Sequence, residues 1–129
     1  MLRKDFIMIQ IEELGKLIAQ IINNRNTGST LNNPQLIQSA YTTLHADRNT
    51  LLELSPEALR QLLDRDDSGG LQRMDIAAHL LIEEAHLVES PVALQQKALE
   101  ILEYIHLNDR TFSINRACLI EEIRSELNR

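Results

Sequence analysis

Oxygen-bearing side chains fall at alternate positions at the start of residues 64–75: Asp64, Asp66 and Ser68 come first, Gly69 follows, and the segment closes on Asp75. In a twelve-residue calcium loop, oxygen ligands at positions 1, 3 and 5 face one centre, a glycine at 6 permits the sharp turn, and an acidic residue at 12 completes the shell. Asp64, Asp66, Ser68, Gly69 and Asp75 occupy those places, with Leu71 as the apolar residue at position 8. Three features weigh against the ion. Position 12 carries Asp instead of the longer bidentate Glu, no second loop accompanies this one, and the helix before it is short. A solvated turn accounts for the same Asp, Ser and Gly composition. The favoured expectation is a chain without metal or cofactor. Asp64, Asp66, Ser68 and Asp75 are the ligands of the alternative, a calcium-binding or small-ligand protein.

Two Glu-x-x-His pairs, Glu83 with His86 and Glu103 with His106, are halves of the motif that builds dinuclear carboxylate centres inside helix bundles. Such ligands must face inward. At about 100° per residue, Glu83 falls opposite the stripe of Leu81 and Ala85, and Glu103 opposite that of Ala98 and Ile105, so both are expected in solvent. His86 and His106 stand in last turns, where a partial positive charge is favourable without any metal. His79, Glu83 and His86 share a face, but about 10 Å of helix rise separates the outer two, too far for one ion. Nucleophilic chemistry has less support still. Cys118 has no histidine beside it in sequence, and no Gly-x-Ser-x-Gly elbow, Walker loop or dinucleotide fingerprint occurs. No catalytic residue is assigned, and the chain is read as a non-enzyme.

Composition narrows the partners. Thirteen Lys and Arg against nineteen Asp and Glu give a net charge of -6 with no basic run, which argues against a phosphate backbone as ligand. Four aromatic residues, Phe6, Tyr41, Tyr104 and Phe112, offer few platforms for stacked bases. A single cysteine, read as a small core residue, fits a reducing cytoplasm. The apolar run after Asp5 is too short for a secretory core, and no stretch approaches the roughly 18 apolar residues that cross a bilayer.

These residues must be positioned by helices, because no window alternates at period two for long enough to form a strand. The first is expected over residues 4–23, with Ile7, Ile11, Leu14, Ile18 and Ile21 spaced 4, 3, 4, 3 as a coiled-coil-like seam. A polar loop with Gly28 ends it. Asn33-Pro34 and Ser55-Pro56 read as cap followed by proline, opening two further helices, with a turn expected at residues 51–54 between them. Three more should run from Leu71 along Met74, Ala78, Leu81, Ala85 and Val88, then along Leu94, Ala98, Ile101 and Ile105, and lastly over about 111–127, burying Phe112, Ala117, Ile120, Ile123 and Leu127. Leu-Ile-Glu-Glu occurs at 81–84 and again at 119–122, a separation of 38 residues typical of stacked helical hairpins. Aligning the copies places Met74 on Phe112, Ile76 on Ile114, Leu80 on Cys118 and Ala85 on Ile123. The expected fold is a single all-α domain over 1–129 of about six helices: a long N-terminal helix and hairpin repeats over about 71–127. Ile9, with Phe6 beside it, stands off the seam and leaves an apolar cluster uncovered, so Phe6 and Ile9 are the candidate interface of a homodimer.

Two segments resemble known proteins. Lys4-Asp5-Phe6-Ile7 followed by Gln10-Ile11-Glu12-Glu13-Leu14-Gly15-Lys16-Leu17 resembles the N-terminus of an uncharacterised family of small bacterial helical proteins. The hairpin at 77–105, with Lys97-Ala98-Leu99-Glu100, is similar to that family's C-terminal half and looks like a tetratricopeptide-type helix pair. With Ala98 in the second-helix alanine position, the tryptophan, glycine and tyrosine of a tetratricopeptide first helix fall on Asp75, His79 and Ile82, so only the hairpin itself matches. The resemblance implies a helical fold and an intracellular setting, and it supplies no catalytic residue. The resulting expectation is a non-enzymatic scaffold that binds a protein or peptide, with no nucleic acid and no membrane.

Overall fold

Hydrogen-bonding side chains start three of the helices. The Asp47 carboxylate accepts from Thr50 N (2.9 Å), the Ser55 hydroxyl from Ala58 N (3.2 Å), and the Ser113 hydroxyl from Arg116 N (3.1 Å), each satisfying a first-turn donor that has no intrahelical partner. The computed structural model describes residues 2–65 and 68–129, with side chains from Met8 onward. Among the described residues there are seven helices and no strand: α1 (Leu2–Thr27), α2 (Asn33–Leu44), α3 (Arg48–Glu53), α4 (Pro56–Asp64), α5 (Gly70–Ala85), α6 (Val92–Asn108) and α7 (Ile114–Leu127). Residues 51–54, expected as a turn, largely belong to α3, a helix of six residues held by the Asp47 cap.

Two helices end in the same left-handed turn. After α1, Gly28 takes φ 80°, its N–H reaches Arg25 O, and Ser29 N reaches Asn24 O at 2.8 Å, which together form a Schellman motif. After α2 the same pair of bonds runs from His45 N to Thr42 O and from Ala46 N to Tyr41 O, but His45, at φ 60°, takes the place usually held by glycine. The start of α2 departs from expectation. Asn32 caps the helix by position and makes no side-chain bond, whereas Asn33 is buried and donates from Nδ2 to Ile21 O (3.1 Å) while accepting from Asn24 Nδ2 (3.0 Å). Asn33 therefore joins α2 to α1 and is not the cap.

Around α5 the other helices assemble. Ala77 and Ala78 allow close approach, and Met74, Leu80 and Leu81 fill the space between it and α1, α2, α4 and α6. α1 and α2 run antiparallel, joined at one end by Asn24 and Asn33 and near the other by Gln10 Nε2 donating to Thr43 O (3.4 Å). α1 contributes Leu14, Ile18 and Ile21 to the core and α2 contributes Ile37, Ala40, Tyr41 and Leu44. α6 lies against α5 through Leu94, Ala98, Ile101, Leu102 and Ile105, and α7 packs on α6 with Ile120 and Ile123. No helix among the described residues is long and apolar enough to cross a membrane.

The two Leu-Ile-Glu-Glu segments lie in unlike surroundings. Leu81 is fully buried and Leu119 half-buried against the core, while Met74, Ile76 and Leu80 are buried where Phe112, Ile114 and Cys118 are exposed. Only Ala85 and Ile123 are buried alike. Here the expectation of a buried Phe112 and a core Cys118 is corrected. α7 starts at Ile114, beyond Phe112, and it has one principal neighbour, so only a narrow stripe of it is covered. Val88, assigned to the buried stripe of the helix that is now α5, lies beyond its end and is exposed.

Candidate functional site

Charge enters the interior of this fold through α5. Glu83 is 4% exposed and receives two hydrogen bonds from Arg25 of α1, Nε to Oε1 at 2.9 Å and Nη2 to Oε2 at 3.1 Å. That side-by-side geometry is the strong form of a guanidinium–carboxylate pair, and it raises the affinity of Arg25 for its proton above the ordinary value. Next along the helix, Glu84 accepts from the Tyr41 hydroxyl of α2 (2.7 Å) and from Arg48 of α3. Burial, followed by the bond to Glu84, pushes the Tyr41 phenol well above the usual tyrosine range. Two adjacent glutamates thus hold α1, α2 and α3 to the C-terminal half of α5. The expectation that Glu83 lies in solvent is corrected: a one-stripe reading assumes one packing partner, and α5 has several.

At the other end of α5 a second cation is buried. Arg73, 1% exposed, donates from Nη1 to Leu63 O (2.8 Å) and from Nε to Gln10 Oε1 (2.9 Å), so α4 and α1 meet on it. Nothing in the sequence separates Arg73 from a surface arginine except that it lies one residue before Met74, on a helix that is apolar over much of its circumference.

The Glu-x-x-His residues do not converge. Glu83 faces Arg25 on α1, whereas Glu103 pairs with Arg124 on α7, on the other side of the α5–α6 pair. His86 follows the end of α5 in solvent, and the His106 ring meets Phe112 edge-on, with centroids 5.4 Å apart and planes at 67°. His79 stands 3.9 Å from Asp75, one helical turn away. Cys118 is exposed on α7.

The 64–75 segment is organised by helix ends. Asp64 lies in the last turn of α4 and α5 begins at Gly70, so 65–69 are the residues between them, with Arg65 and Ser68 both at positive φ. The Asp64 carboxylate accepts from Gly70 N (2.9 Å), occupying one of its oxygens at the start of α5. Asp75 belongs to the second turn of α5, and Asp66 lies outside the described residues. Among the described residues no three His, Cys, Asp or Glu side chains are grouped to hold a metal ion.

An open cleft of about 280 Å³ lies where α2 turns into α3, lined by Gln38, Tyr41, Thr42, His45, Ala46, Asp47 and Thr50. Most of its polar atoms serve the backbone or the ion-pair network. Thr42 donates to Gln38 O, Asp47 caps α3, and Tyr41 donates to Glu84. Apolar surface is concentrated elsewhere. Leu107, Phe112 and Ile114, at 84%, 66% and 69% exposed, all fall within the stretch from the end of α6 to the start of α7, and Met8 and Ile9 are exposed on α1. Ile9 is thus placed in solvent as expected, while the Phe6 side chain lies outside the described residues.

Among the described residues these features define a seven-helix fold with internal polar braces and exposed apolar side chains. Comparison with family models, curated proteins and solved structures gives no match to the chain.

Proposed function

We propose that this chain is a non-enzymatic interaction module, a helical scaffold that binds another polypeptide through uncovered apolar surface. The carrying observation is the corner between α6 and α7, where Leu107, Phe112 and Ile114 project within eight residues of one another. Large side chains clustered in water cost solubility unless a partner covers them, and such clusters mark interfaces more often than isolated exposed residues do. Support also comes from what the interior charges do. Glu83, Glu84, Arg25 and Tyr41 brace helices against one another and so hold the surface in one shape, a role that needs no substrate.

The run of α5, α6 and α7, each packed on its predecessor in the chain, supports a tetratricopeptide-like reading of this half. A cytoplasmic setting is supported by the single exposed thiol, which is stable where the surroundings are reducing. The test is differential capture from the source cell, with Phe112→Asp beside the wild type. A polypeptide held by the wild type and lost by the variant, with the melting temperature unchanged, supports the reading. Equal capture by both removes the α6–α7 corner from it.

A further inference from the structure

One face of α1 is apolar and only its inner edge, Ile11 and Ile22, packs against the core of its own chain. Met8, Ile11, Gly15, Ala19 and Ile22 are spaced 3, 4, 4, 3, which at about 100° per residue confines them to a sector of about 80°. Met8, Gly15 and Ala19 are exposed and Ile11 and Ile22 half-buried, so the stripe runs for four turns along the edge of the buried seam. At its middle, a Cβ added to Gly15 would meet no atom within 4 Å. The backbone of another helix can therefore approach closely there.

The order of the stripe reads the same in both directions. About a two-fold axis through Gly15, Met8 faces Ile22 of a second copy, Ile11 faces its Ala19, and Gly15 faces Gly15, so large residues lie at the ends and small ones near the crossing. The charges beside the stripe obey the same symmetry. Glu12 and Lys16 are both exposed, flank the stripe on one side, and among the described residues have no ion-pair partner in their own chain. Antiparallel pairing sets Glu12 of each chain near Lys16 of the other, offset by about 3 Å of helix rise, a gap that both side chains span. In a parallel arrangement the two-fold would run along the helices and place this flank of the two chains on opposite sides of the interface, so Glu12 and Lys16 would not meet.

We propose that the chain self-associates through this face as an antiparallel α1–α1 pair centred on Gly15. The inference rests on the reading of the chain as an interaction module and names a second copy as one partner. It moves the interface away from Ile9, which lies about 120° around the helix from the centre of the stripe. Such a pair is isologous and closed, leaving the α6–α7 corner free for a different polypeptide.

The test uses the full chain in sedimentation equilibrium at micromolar concentration. The wild type is expected as a dimer. Glu12→Lys and Lys16→Glu should each weaken association by about tenfold, and the double reversal should restore it, because the pairs are regenerated with their signs exchanged. Since both sites are exposed, helicity and melting of the folded chain serve as the control. In a second arm, Gly15→Cys in a Cys118→Ser background should oxidise to a covalent dimer, whereas a cysteine at Glu13, on another face of α1, should not. A monomeric wild type overturns the proposal, as does a dimer indifferent to the charge reversals or cross-linked equally at both sites. Any of these leaves capture at Phe112 as a separate outcome, so the two readings fail independently.

Discussion

Glu83 shows how much a single side chain can depend on what surrounds its helix. Its carboxylate is enclosed and its charge is answered by Arg25, whose own side chain keeps a third of its surface in water. Removing Arg25 would strand a buried anion. Arg25→Ala is therefore expected to cost about 2 to 4 kcal/mol in denaturant unfolding, below the cost of breaking a wholly buried pair because Arg25 is partly solvated. Adding Glu83→Leu should recover much of that loss, since the stranded charge is then absent, and a double-mutant cycle measures the coupling. Tyr41 gives a dependence on pH. Its folded-state proton affinity is raised, so the stability it contributes is complete below the unfolded tyrosine value of about 10 and is lost as pH rises above it. In a Tyr104→Phe background, the phenolate absorbance of Tyr41 should appear only with unfolding. Tyr41→Phe should extend the folded range to higher pH. A Tyr41 that ionises in the folded chain would show that Glu84 does not hold it.

At the scale of elements, the α4–α5 turn and the two Leu-Ile-Glu-Glu helices make separate predictions. A Cβ at Gly70 would stand 2.5 Å from Asp64 Oδ1 and 2.8 Å from Arg60 O, and the latter is backbone. Gly→Ala inside a helix usually stabilises by up to about 1 kcal/mol, but Gly70→Ala should destabilise, by about 1 to 3 kcal/mol, because α4 and α5 must move apart. Millimolar calcium is expected to leave the melting temperature unchanged. With Asp64 bonded to Gly70 N and Asp75 inside α5, these carboxylates belong to helix ends instead of a wrapped loop. A calcium-dependent rise abolished by Asp64→Ala would reverse that conclusion. Identical tetrapeptides should not behave identically. Leu81→Ala is expected to cost about 3 to 5 kcal/mol and Leu119→Ala about 1 to 2, since the cost follows the packing around the deleted atoms.

For the whole molecule, neighbours determine stability. α5 packs closely against α1, α2, α4 and α6, whereas α7 leans on α6. Native-state hydrogen exchange should accordingly find α5 protected to the level of global unfolding and α7 opening at lower free energy. Uniform protection would mean that α7 is held by more than its visible packing.

The helical class and several boundaries were legible in the sequence because they depend on local physics, although α1 runs on to Thr27 and α5 stops at Ala85, short of Ser90-Pro91. Ser55-Pro56 starts α4, Gly28 ends α1, and the 3,4 spacing of Leu94, Ala98, Ile101 and Ile105 marks the buried side of α6 before any partner is known. The exposure of Ile9 followed from the same periodicity. What periodicity could not state was how many neighbours each helix would have. One stripe implies one partner, yet α5 is enclosed on several sides, which buries Glu83 and Arg73 and gives them Arg25, Gln10 and Leu63 O as partners up to 63 residues away. The second copy of the repeat, at α7 and the residues before it, has one principal neighbour and leaves Phe112, Ile114 and Cys118 in water. Asn33 likewise had the composition of a cap and became a bridge, because the end of α1 presented Ile21 O and Asn24 within its reach. Local spacing determines which residues share a face; only the tertiary packing decides which faces are covered, and so which charges are paired inside and which apolar residues remain for a partner.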